Sequence, residues 1–137
     1  MNAKYDRLLE PIILPNGVKL PNRMVMAPMV IKGANEDGTV SDRVLTYYEK
    51  RSDVAGLIIT GSAYVNDMGY GFERQISIAK NEAIPGLKKL AKTAKKDGNK
   101  IVVQLHHAGR EAVYEQLGRV LALSAVEFPV HDYVPEE

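Results

Sequence analysis

Apolar positions along this chain come in short blocks whose spacing alternates between that of strands and that of helices. In PIILPNGVKL, Pro11 to Leu20, two apolar runs flank Pro15-Asn16-Gly17, turn residues that predict a small hairpin. After Pro21-Asn22-Arg23, the run MVMAPM from Met24 to Met29 predicts a first strand, stopped by Pro28, which can sit at a strand end but not inside a central ladder. Ile31 to Val40 reads as loop from its glycines and its Asn-Glu-Asp-Gly cluster. Ser41 then stands as N-cap to a helix, SDRVLTYYEKRS, with Asp42 in the first turn and an apolar stripe of Val44, Leu45, Tyr47 and Tyr48.

The next block, AGLIITGS from Ala55 to Ser62, is apolar almost without alternation, as expected of a parallel strand covered on both faces. A loop, AYVNDMGYGFERQ, leads to a second helix from Ile84 to Asp97, with Ile84, Leu87, Leu90, Ala91 and Ala94 along one face and Gly98 closing it. Lys100 to Leu105 predicts a third strand. From His106 to Glu137 the pattern is a long loop with one short helical patch near Glu111 to Leu117, and Pro135-Glu136-Glu137 resembles the start of another helix. The order hairpin, β, α, β, α, β implies parallel strands joined by right-handed crossovers. Three such strands alone leave two edges unpaired and one face poorly covered, so the pattern predicts the opening of a larger α/β architecture.

Composition changes this picture little. At 137 residues, 45% hydrophobic and 26% charged, the chain has the makeup of one globular domain. The absence of cysteine excludes disulfides, thiol catalysis and cysteine-bound zinc, and fits a reducing cytoplasm. MNAKYDRLLEPII lacks the uninterrupted apolar core of a signal peptide, and no segment approaches the length of a membrane span. A formal net charge of +1 offers no global field for nucleic acid or an acidic surface. The lysines from Lys80 to Lys100 lack aromatic interleaving and read as the solvated face of the second helix.

In parallel α/β folds, ligands bind beyond the carboxyl ends of the strands. Those ends are Ala27-Pro28-Met29-Val30, Thr60-Gly61-Ser62 and Gln104-Leu105-His106-His107. Small residues on the first two would let a flat ligand approach the backbone, and the Gln104 amide can donate and accept at once against a heterocycle edge. Each residue by itself also suits a structural role; their coincidence on three successive strand ends is the stronger signal. His106 and His107 are adjacent in extended chain and point to opposite sides, which argues against a metal site. His131-Asp132 reads as solvated loop. GYGFER, Gly69 to Arg74, begins like a dinucleotide fingerprint but ends on arginine and runs into QISI, which reads as strand or loop.

Taken in order, NRMVMAPM, GLIITGS and IVVQLHHAGR behind a short hairpin resemble the old yellow enzyme family of FMN-dependent NAD(P)H oxidoreductases and ene-reductases, including its 2,4-dienoyl-CoA reductase branch. The resemblance implies α/β architecture of one kind: the N-terminal portion of a (β/α)8 TIM barrel, with the hairpin closing the bottom, about three parallel βα units, and FMN across the C-terminal mouth. It implies that Ala27, Pro28 and Met29 run along the flavin ring. Val30 falls where family members carry a threonine or cysteine that tunes the flavin. Ser62 matches the small residue ending strand two, Gly61 replaces a frequent acidic residue, and Gln104 matches the amide that pairs with the flavin's pyrimidine edge. His107, Gly109 and Arg110 match a His-x-Gly-Arg pattern for which loop organisation is the favoured role, while His106 lies at a variable position.

A barrel of this kind takes about 250 residues, and the family's substrate-anchoring histidines, proton-donating tyrosine and phosphate-binding loops lie beyond the matched motifs. Residues 1–137 are therefore expected to form the N-terminal fragment of an FMN-binding barrel domain, binding FMN weakly or not at all and showing no steady turnover alone, with NAD(P)H as reductant in the complete enzyme. The expected partner is the remainder of the barrel or a second chain, including an oligomer through exposed strand edges; neither nucleic acid nor membrane is expected. The alternative is a non-catalytic half-barrel unit that pairs with a second chain or with itself. A stand-alone nucleotide-binding domain would need a phosphate loop the sequence lacks.

Overall fold

A computed structural model describes residues 3–137 apart from 97 and 128. After a 3-10 turn over Ala3–Leu9, β1 (Ile12–Ile13) and β2 (Lys19–Leu20) form the expected antiparallel hairpin. Gly17 supplies its turn with φ of +82°, a left-handed conformation that glycine adopts without steric cost.

The central sheet has β3 (Val25–Met26), β4 (Leu57–Ile59) and β7 (Lys100–Val102) in parallel, in that order. Helix α1 (Asp42–Glu49) connects the first pair and α2 (Ile84–Ala94) precedes the third strand, as the βαβ pattern predicts. Register assigns the faces. Met26, Ile58 and Ile101 lie in one row, flanked by the row Val25, Leu57 and Lys100 and by the pair Ile59 and Val102. Because side chains alternate across a strand, the first row faces the helices and the others face away. Ile58 is fully buried with Val44, Tyr48, Leu90 and Ala94, and Met26 and Ile101 pack against that cluster.

Local chemistry sets the element ends. Ser41 Oγ accepts the Val44 N–H at 3.2 Å and donates to the Gly33 carbonyl, so the cap of α1 also holds the preceding loop. Asn22 clamps the start of the sheet: its Oδ1 accepts from Met24 N at 3.0 Å and Gly56 N at 2.7 Å, and its Nδ2 donates to the Val54 carbonyl at 2.9 Å. In α2, Pro85 occupies the first turn, where no intrahelical N–H is needed. Leu90 and Ala94 of that helix are buried as expected, but Ile84 is 43% exposed because it sits at the first residue, ahead of the face that meets the sheet. The expected end of this helix at Asp97 lies outside the described residues; Gly98 follows with φ of +86°.

The second and third strands differ from expectation in a consistent way. Each breaks and resumes: Ala63–Tyr64 forms β5 and Leu105–His106 forms β8, and both belong to a second parallel sheet with β6 (Ile76–Ser77) in the order β6-β5-β8. At the break, Gln104 N–H donates to Thr60 Oγ1 at 3.3 Å and Gly61 N–H to the Tyr48 hydroxyl at 2.8 Å, so side chains replace ladder carbonyls. The long loop after His106 contains one four-residue helix, α3 (Tyr114–Leu117), ended by Gly118 at φ of +68°. Pro135-Glu136-Glu137 does not begin a helix. Glu136 lies extended, its N–H donating to the Val120 carbonyl and its carbonyl accepting from Ala122 N, each at 2.8 Å. No helix among the described residues is long and apolar enough to cross a membrane.

Candidate functional site

The three strand ends singled out in the sequence lie side by side at the carboxyl edge of the central sheet. Thr60-Gly61-Ser62 is in the middle. On one side the Met29 carbonyl presses against Gly61 so closely that a Cβ on that residue would overlap it. On the other, Gln104 N–H reaches Thr60 Oγ1 and the Gln104 carbonyl accepts from Ala63 N at 2.9 Å. Glycine at position 61 is thus required by the approach of the first strand, which accounts for the absence of an acidic side chain there.

The candidate residues present themselves differently. Ala27, Pro28 and Met29 are exposed, Met29 at 61%, and Val30 is half-buried. Ala27 and Met29 line an open groove of about 790 Å³ along the free edge of β3, whose other walls include Met24, Tyr47 and Arg51. Met29, Val30 and Ser62 also bound a small, partly open space of about 10 Å³ behind the strand ends, room for about one water. Ser62 is buried, its Oγ and carbonyl each 3.2 Å from Gln75 Nε2. Gln104 is exposed, and among the described residues its side-chain amide bonds to nothing.

The two histidines take separate structural positions. His107 Nδ1 accepts the Gly109 N–H at 3.0 Å, and Gly69 lies against its ring, so this residue shapes the turn at Gly109. His106 Nδ1 lies 3.1 Å from Gln75 Nε2, and its ring is tilted against Phe72 with centroids 5.4 Å apart. Burial, and next to it the adjacent His107, holds the His106 pKa below the ordinary imidazole value. No group of three His, Asp or Glu side chains gathers among the described residues.

Three participants escape sequence reasoning. Gln75 appears in the sequence only as the end of a loop, yet it is 1% exposed and joins Ser62, His106 and Gly71. Tyr48 reads as one more apolar residue of α1, but its buried hydroxyl accepts the Gly61 N–H, and burial raises its pKa. His131, read as solvated loop, stacks on Tyr133 at 4.8 Å and pairs with Glu111 at 3.1 Å, while Tyr133 also stacks on Tyr114 at 4.7 Å. The only sequence signal for this last group is three rings within a polar tail.

Comparison with known proteins follows the same geometry. Residues 7–130 match the family described as NADH:flavin oxidoreductase / NADH oxidase. The "Probable NADH-dependent flavin oxidoreductase YqiG" of Bacillus subtilis (strain 168) is 44% identical over 84% of this chain and 31% of its own length. The NADH:fumarate oxidoreductase of Klebsiella pneumoniae (strain 342) is 37% identical over 90% of this chain and 14% of its own. Among solved structures, the old yellow enzyme from Trypanosoma cruzi superposes with a TM-score of 0.82 at 34% identity, covering 94% of this chain and 37% of that one. The chain therefore spans about a third or less of these relatives. Its hairpin and parallel βα units are the matching portion of a (β/α)8 barrel.

Proposed function

The chain belongs to the NADH:flavin oxidoreductase / NADH oxidase family, and from that premise we propose that its strand ends form one wall of an FMN site in an NAD(P)H-dependent oxidoreductase of the ene-reductase type. The observation that carries the reading is the Gln104 side-chain amide: exposed, without a partner among the described residues, and carried on a residue whose main chain bonds Thr60 Oγ1 and Ala63 N at the carboxyl edge of a parallel sheet. An unpaired amide there can give and take a hydrogen bond along the edge of a planar heterocycle. Ala27, Pro28 and Met29 supply an exposed apolar border, and Val30 lies behind them. The donor set thus suits a flavin, while the phosphate end finds no matching loop in this sequence.

When bound, FMN supplies hydride chemistry, taking two electrons from NADH or NADPH and passing them to an activated alkene or another acceptor. These residues contribute position and hydrogen bonds. Val30 carries no hydroxyl or thiol to tune the ring, and nothing on this wall is assigned a proton-transfer role. The remaining walls would come from the rest of a barrel, on this chain's continuation or on a second chain. That is supported by the exposure of Val25 at 52% and Val102 at 47% on the strands that form the two free edges of the central sheet. The same edges favour the second reading, pairing with a copy of itself.

Gel filtration of the purified chain after incubation with FMN tests the proposal. The chain should emerge colourless, and NADH should produce no sustained turnover. Stoichiometric yellow cofactor that bleaches with NADH would show that residues 1–137 make a complete site.

A further inference from the structure

The network about Gln75 fixes a protonation state as well as a loop. The backbone N–H of Gly71 can only donate, so the amide atom facing it at 3.0 Å is the oxygen, Oε1. That orients the other end: Nε2, a donor with nothing to accept with, stands 3.1 Å from His106 Nδ1 and 3.2 Å from both the carbonyl and Oγ of Ser62. A donor facing Nδ1 requires that nitrogen to be bare, which leaves the imidazole proton on Nε2. Its two amide protons face three acceptors, of which His106 Nδ1 at 3.1 Å is the nearest.

The ring is held as well as oriented. Phe72 lies against it, and Gly71 abuts its edge, where a Cβ would come within 3.0 Å of Cε1. The titratable groups about it are His107, next in the chain, and Tyr64, its register partner on β5. Among the described residues no carboxylate or cation bonds to the ring, and Nε2 has no protein partner.

We infer that Gln75 is a positioning residue of the strand-end site, locking His106 in the Nε2–H tautomer and tying the ends of the second and third strands to the Gly71 turn. The imidazole then presents a donor, not an acceptor, beside the residues of the proposed flavin wall. The ligand-facing part of this statement rests on that functional reading; the lock itself does not.

Long-range proton–nitrogen correlation spectra of the ¹⁵N-labelled 137-residue chain read the tautomer directly. At neutral pH, His106 should show a protonated Nε2 and an unprotonated Nδ1. Gln75→Glu keeps an acceptor for Gly71 N–H but replaces the donor with a carboxylate, so the proton should move to Nδ1 and the His106 pKa should rise by about 1–2 units. A wild-type ring protonated on Nδ1, or populated as in a free imidazole, would overturn the inference, as would a Gln75→Glu chain with tautomer and pKa unchanged. The wild-type spectrum decides the matter even if the variant does not fold. No flavin is needed, so loss of the lock and failure to bind FMN are separate results.

Discussion

The same three parallel strands carry two unlike faces. Toward α1 and α2, Ile58 is fully buried and its row partners Met26 and Ile101 pack into the same cluster. On the other side, Val25 and Val102 are about half exposed although both are β-branched and apolar. One face is finished by this chain and the other is not. The contrast explains why Ala55 to Ser62 reads as continuously apolar: the sequence is written for a strand covered twice, and only one cover is present in residues 1–137. It also places the candidate site, because the exposed Gln104 amide and the Met29 border lie at the carboxyl end of this half-covered sheet.

Mutations on the two faces should separate most clearly. Ile58→Ala removes a wholly buried side chain from the helix-facing row and should cost about 3 kcal/mol, read by urea unfolding. Val102→Ala, in the neighbouring row, should cost about 0.5 kcal/mol or less. Equal losses would mean that the inward face is also packed and would break the comparison. An effect between these two is expected at the strand end: Tyr48→Phe keeps the ring in the core but strips the acceptor from Gly61 N–H, and should cost about 1–2 kcal/mol.

Smaller still is a pH effect confined to the strand ends. His106 is held below its ordinary pKa of 6.5, chiefly by burial, so the unfolded chain binds its proton first as pH falls. Its contribution is fully present above pH 6.5, declines below that value, and levels off beneath the lowered folded pKa. Thermal melts between pH 7.5 and pH 5 should therefore slope more steeply in the wild type than in His106→Phe, which keeps an aromatic ring beside Phe72. A parallel pair of curves would show that the ring titrates as freely folded as unfolded.

How much of this was legible depends on whether the cause is local. Hairpin, helix cap and parallel order follow from Asn16-Gly17, Ser41 and the apolar periods, all of which act within a few residues. The strand-end motifs were legible because three separate ends shared one chemistry. The breaks in strands two and three were not, since they depend on the Thr60 hydroxyl meeting Gln104 N, 44 positions away. Gln75 was hidden for the same reason: its partner His106 is 31 positions distant and Ser62 is 13. Glu136 looked like a helix start by composition, and its bonds to Val120 and Ala122, which no local pattern announces, hold it extended instead.

The central claim, that the uncovered strand-end face is a flavin wall, can be tested residue by residue even at weak affinity. In an NMR titration of the labelled chain with millimolar FMN, shifts should concentrate at the Gln104 side-chain amide, the Met29 methyl and the Gly61 and Ser62 backbone, with Ile58, Val44 and Leu90 unmoved. Shifts absent from Gln104 and Met29, or scattered over the helical face, would contradict it.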